Sequence, residues 1–70
     1  MIIISHNRII VLSNIIAIRE YRGGIKSFQG NTDIKLVDNK AIILTIKYDD
    51  FKEQLKNAGK ANIRVLELDY

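Results

Sequence analysis

Short apolar runs separated by polar punctuation dominate the first half of the chain. Ile2 to Ser5 and Ile9 to Leu12 flank His6-Asn7-Arg8. This pattern predicts two strands of a hairpin, or one strand broken by a bulge, with Asn7 the residue suited to a positive φ. After Ser13-Asn14, the segment Ile15 to Tyr21 alternates as a strand. Ile16, Ile18 and Glu20 fall on one face and Ile15, Ala17, Arg19 and Tyr21 on the other. Ile15, Ile18 and Arg22 also have helical spacing, but the β-branched density and the following Arg22-Gly23-Gly24 favour a strand entering a turn. Ile25 to Phe28 reads as a short return strand or an ordered piece of loop, and Gln29-Gly30-Asn31 breaks the pattern again. Residues 22–31 therefore carry the most conformational freedom, as a binding loop would, or as a plain hairpin turn would.

The strongest alternation spans Thr32 to Ile46. Ile34 and Leu36 share one face, and beyond Asp38-Asn39 so do Ile42, Leu44 and Ile46. This predicts a hairpin whose second, more apolar strand sits centrally in the sheet. After Tyr48 the period changes. Phe51, Leu55 and Ala58 recur at helical spacing, which predicts a helix over residues 50–58. Asp50 with Glu53 forms a capping box at its start, Asp49 is the rival cap, and Gly59 is the C-cap. A helix of about nine residues does not persist alone in water. It must dock on the sheet through Phe51 and Leu55. Ile63 to Tyr70 alternates again, with Arg64, Leu66, Leu68 and Tyr70 on one face. That last strand either pairs in parallel with the strand before the helix, through a right-handed crossover, or reaches a second copy.

These elements predict one α+β domain over residues 1–70. Five or six mostly antiparallel strands form a curled sheet or small open barrel, packed against one short helix in the C-terminal half. Fourteen isoleucines tilt the apolar content toward sheet. Seventy residues without cysteine leave packing as the source of stability, worth roughly 3 to 5 kcal/mol for a core this small. No apolar run approaches the roughly 18 residues needed to cross a bilayer, and no signal peptide is evident, so a cytoplasmic protein without membrane association is expected. Retention of Met1 points to an entire small gene product.

Charge narrows the picture further. The formal net charge is +3, and residues 1–31 hold Arg8, Arg19, Arg22 and Lys26 against Glu20 alone. Arginine suits bidentate contact with phosphate or carboxylate, although exposed arginines are also a common solvated face. The candidate interaction surface is Arg19, Tyr21, Arg22, Lys26 and Phe28, with Phe28 available to stack on a base or to anchor a protein contact. Arg64, Leu66, Leu68 and Tyr70 form a candidate self-association strand.

Catalytic and metal chemistry find little support. His6 is the single histidine, and a zinc site built from one imidazole and carboxylates is rare. Ser5 and His6 are neighbours on an extended strand and point to opposite faces, so they form no dyad. Asp49 and Asp50 are the one adjacent carboxylate pair, and a helix start calls for them anyway. Nucleotide-binding and metal-binding motifs are absent. No catalytic residue, cofactor or metal is therefore expected.

The order of the strand N-I-I-A-I-R-E-Y, the hairpin D-I-K-L-V-D-N-K-A-I-I-L-T and the helix start Y-D-D-F-K-E-Q-L resembles, over residues 9–55, small bacterial or phage proteins and the FlbD-like flagellar proteins. The resemblance is one of pattern and implies a bacterial or phage accessory protein. The expected function is a small non-catalytic protein-interaction module or modulator, with another protein or a second copy as partner. The alternative is weak, sequence-nonspecific nucleic-acid binding through the N-terminal basic residues.

Overall fold

A computed structural model describes residues 1–68 of the chain. It contains six strands, β1 (Ile2–Ser5), β2 (Arg8–Val11), β3 (Ile15–Glu20), β4 (Asn31–Leu36), β5 (Ala41–Lys47) and β6 (Val65–Glu67), and one helix, α1 (Tyr48–Lys60). The mostly antiparallel α+β architecture matches the sequence expectation. The single curled sheet or barrel does not: the strands divide into two three-stranded sheets, ordered β2-β1-β6 and β3-β4-β5. The division comes at Leu12–Asn14, one 3-10 turn that redirects the chain, so that β2 and β3 belong to different sheets.

In the first sheet, β1 is central. It pairs antiparallel with β2 and parallel with β6. The hairpin turn between β1 and β2 places the positive φ on His6, at 54°, rather than on Asn7. The partner of β6 also differs from expectation: β6 joins β1 instead of β5. The amide of Ile2 donates to the Arg64 carbonyl at 2.8 Å, and the amide of Leu68 donates to the Ile4 carbonyl at 2.8 Å. The helix thus carries the chain from one sheet to the other, and β1 offers the last strand a completely unpaired edge.

The second sheet is an antiparallel meander with β4, not the more apolar β5, at its centre. The β4–β5 connection is a three-residue loop closed by the Leu36 amide donating to the Lys40 carbonyl, with Asn39 at φ 68°. The Asp38 carboxylate accepts from the Lys40 amide at 3.1 Å and rigidifies that loop. In β3 the register shifts between Ile15 and Ala17, so Ile16 is extruded as a bulge. That extra residue brings Ile15 and Ile18 to the same, core-facing side and leaves Ile16 exposed. Strict alternation had placed them on opposite faces. A second irregularity lies where β5 passes Asn31 and Thr32. There the fully buried Thr32 hydroxyl donates to the Ile46 carbonyl at 3.1 Å, giving a polar group of the irregular stretch a partner inside the core.

Helix α1 is longer than the expected 50–58 because Tyr48, Asp49, Gly59 and Lys60 are also helical. Lys47 occupies the N-cap and no side chain caps the first turn. Asp49 and Asp50 lie inside that turn, where their charge complements the macrodipole, so neither is the cap expected from the Asp50/Glu53 pattern. At the other end, Gly59 remains helical and Asn62 takes the left-handed position, at φ 54°. The Ile63 amide donates to the Ala58 carbonyl at 3.0 Å and the Asn62 amide to the Gly59 carbonyl at 3.2 Å. This is a Schellman stop built on asparagine rather than glycine.

One core joins the layers. Ile3, Ile10, Leu66 and Leu68 from the first sheet meet Ile34, Leu44 and Ile46 from the second, with Phe51 and Ala58 of the helix completing the cluster. Leu66 and Leu68 of the candidate self-association strand are therefore core residues of their own chain, because pairing with β1 turns that face inward. Gly30, at φ 82°, links three elements, since its amide donates to the Tyr21 carbonyl and its carbonyl accepts from the Tyr48 amide. Gly30→Ala is expected to cost about 1 to 2 kcal/mol through left-handed strain. Gly24→Ala, with open space around its Cβ, serves as the near-neutral control in urea denaturation.

Candidate interaction surface

The basic and aromatic residues of the 21–30 connection are held by one another. Tyr21 and Phe28 pack edge to face with ring centroids 5.9 Å apart, and the Tyr21 hydroxyl accepts from the Ile25 amide at 3.2 Å. Lys26–Phe28 forms a single 3-10 turn rather than a return strand. The Gln29 side-chain amide donates to the Gly23 carbonyl, and Lys47 Nζ donates to the Gln29 carbonyl at 3.1 Å. The loop has its own small aromatic centre, which accounts for its order despite two adjacent glycines. Gly23 lies against the Tyr21 ring, where an added Cβ would fall 2.5 Å from the hydroxyl oxygen.

Two of the neighbouring cations are matched as well. Arg19 Nε lies 3.3 Å from Asp33 Oδ2 across the β3–β4 pair, and Arg22 Nε lies 3.3 Å from Glu20 Oε2. These exposed pairs contribute at most about 1 kcal/mol each. They do lower the local positive field that the N-terminal charge excess implies. Arg19, Tyr21, Arg22 and Glu20, with Gly23 and Asp33, border a shallow open depression of mixed charge, and Lys26 lies on the neighbouring turn.

The remaining sequence candidates are dispersed. His6 is exposed in the β1–β2 turn while Ser5 is buried, so the two face different surroundings. Arg64 is exposed just before β6, and Tyr70 lies outside the described residues. Asp49 faces solvent beside Lys52, Glu53, Lys56 and Lys60, a helix face of mixed charge. Among the described residues no group of three histidine or carboxylate side chains could hold a metal ion, and no helix is long and apolar enough to cross a membrane.

The outer face of the first sheet was not singled out by the sequence pattern. Because Ile3, Ile10 and Leu66 point inward, the alternate positions of the same strands must point out. Register aligns them in two rows: Val11, Ile2 and Val65 side by side, then Ile9, Ile4 and Glu67. Ile2, Ile9, Val11 and Val65 are between 38% and 69% exposed, and Ile4 is half-buried between its neighbours. Five β-branched apolar side chains and one carboxylate thus form a continuous, nearly uncharged surface. Ile63, 43% exposed, stands two residues before Val65. Patches of this kind, unlike isolated exposed isoleucines, mark contact surfaces.

Comparison with protein-family models, with curated proteins and with solved structures gives no match, so the functional argument rests on this geometry.

Proposed function

We propose that the chain is a small protein-interaction module without catalytic chemistry of its own, docking through the outer face of the β2-β1-β6 sheet. The observation that carries this reading is the in-register apolar surface of Ile2, Ile4, Ile9, Val11 and Val65. Leaving it in water forgoes roughly 25 cal/mol for every Å² that a partner would cover. The surface is rigid, since it is the reverse side of strands whose inner residues build the core. It can therefore bind without ordering a loop. The basic loop supports nucleic-acid binding less well: Arg19 and Arg22 are already paired with carboxylates, and Tyr21 and Phe28 pack on each other.

A photo-reactive benzophenone side chain placed at Ile9 tests the reading, with the same group at Lys52 on the solvated helix face as control. Irradiation in an extract of the organism of origin is expected to give protein adducts at position 9 well above those at position 52. Equal yields at the two positions, or salt-sensitive binding of labelled nucleic acid that Arg22→Glu abolishes, would contradict it.

A further inference from the structure

We infer that the partner is held by strand addition: an extended segment of another polypeptide, with alternate apolar residues and a carboxylate, pairs antiparallel with the free edge of β2. The inference rests on the docking reading above and says which backbone and which charge the partner presents. Three observations lead to it.

The first is the direction of the β2 backbone. The Leu12 amide donates to the Met1 carbonyl at 3.0 Å. With the β1–β2 register, the bonded pairs therefore alternate as Met1 with Leu12, Ile3 with Ile10 and Ser5 with Arg8. The groups of Ile2 and Ile4 serve the other neighbour, since the Ile2 amide donates to the Arg64 carbonyl and the Ile4 carbonyl accepts from the Leu68 amide. Across from them, Ile9 and Val11 turn their backbone away from β1. The Val11 carbonyl heads the 3-10 turn of Leu12–Asn14. The Ile9 amide and carbonyl and the Val11 amide have no backbone partner outside the sheet. Groups at that spacing are what an added extended chain bonds.

The second is that, among the described strands, β2 is the edge without protection. β3 is interrupted by the Ile16 bulge and carries Arg19 and Glu20. β5 is irregular beyond Leu44, and its Ile43–Thr45 stretch stands across a depression from the β1–β2 turn. β6 is three residues long. Bulges, charge, cover and shortness are the devices that keep edges from pairing. Between Arg8 and Leu12, β2 has only Ile9, Ile10 and Val11.

The third is charge. Arg8 is in register with Ser5, on the inner side of the sheet at the exposed end of the strand. Unlike Arg19 and Arg22, it forms no ion pair with a carboxylate among the described residues. It borders the depression that Asn7, Ile43 and Thr45 also line, so a carboxylate beside it enters open space rather than packed side chains. The β2 strand of a second copy would not supply that group, because β2 contains no acidic residue. Antiparallel pairing is the more stable per residue. The partner segment then reads apolar, neutral, apolar, acidic, opposite Val11, Ile10, Ile9 and Arg8 in turn. Its two apolar side chains extend the outer-face rows that begin at Val11 and Ile9.

Amide NMR of the full chain, titrated to millimolar concentration with the end-blocked peptide Lys-Val-Thr-Val-Glu-Lys, tests the inference. In the free protein the Ile9 and Val11 amides are expected to exchange rapidly with solvent while the Ile10 amide is protected. The peptide should shift the Ile9 and Val11 resonances and slow their exchange. Methylating the backbone nitrogen of its second valine, the donor to Ile9, should abolish the effect. Replacing its glutamate with lysine should weaken binding about fivefold, and Arg8→Glu should reverse that preference. An absent response at Ile9 and Val11, or an equal response to the methylated peptide, overturns the inference. Protection of the Ile9 amide that grows with protein concentration alone also overturns it, by assigning the edge to a second copy. The two proposals fail separately. No peptide response, with photo-adducts still formed at position 9, removes strand addition and leaves the docking face. Neither response nor adducts removes both.

Discussion

Phe51→Ala is expected to abolish the cooperative thermal transition of the domain and leave a largely unfolded chain at room temperature. Phe51 is fully buried and is the largest side chain in the core. It lies in the first turn of α1, the helix that packs on β4 and β5. Truncating a buried phenylalanine costs about 3 to 5 kcal/mol, from lost transfer energy and the cavity left behind. A core of this size supplies about the same amount in total. A thirteen-residue helix without its anchor has little independent stability. Circular dichroism melting should show the loss directly, while Leu55→Ala, at a half-buried position one turn on, should retain a transition at lower temperature.

Ile3→Asp and Ile9→Asp should have opposite outcomes although both put a carboxylate into the same hairpin. Ile3 is fully buried on the central strand of the first sheet, directly paired with Ile10 and Leu66. A carboxylate there has no cationic neighbour in the apolar cluster and costs several kcal/mol, enough to unfold the domain. Ile9 is 69% exposed on the opposite face. Its replacement should change the folding free energy by under about 1 kcal/mol. Urea titration of the two variants beside wild type separates the cases. Equal destabilisation would mean that the assigned inner and outer faces are wrong.

Local pattern made much of this fold readable. The alternation of Ile34 and Leu36 with Ile42, Leu44 and Ile46, and the Phe51, Leu55, Ala58 stripe, identify the meander's core face and the docking side of the helix. The features that escaped depend on long-range geometry or on degenerate chemistry. Ile15-Ile16 gives no sign of which residue will be extruded, because a bulge shifts register without changing composition. Asn62 and Gly59 can both end a helix, and His6 and Asn7 can both turn a hairpin. Nothing local to residues 63–68 selects β1 over β5 as a partner.

The candidate surface escaped for a related reason. In Ile2-Ile3-Ile4 and Ile9-Ile10-Val11 both faces of the strand are apolar, which reads as burial on both sides. Only the placement of the helix and the second sheet on one side shows which face is left open. The Arg19 to Phe28 cluster attracted attention through residue types enriched at interfaces. The carboxylates that pair with its arginines, Glu20 and Asp33, come from the same strand and from the next one, and cross-strand register decides the second of these.

The account depends most on the inward direction of Ile3, Ile10 and Leu66 and the outward direction of Ile2, Ile9, Val11 and Val65. Methyl relaxation by a soluble paramagnetic agent, measured on the folded protein, reads this residue by residue. Strong enhancement at Ile9, Val11 and Val65 together with protection at Ile3, Ile34 and Ile46 is the expected result. Protection of Ile9 and Val65 to the same degree as Ile3 would contradict it.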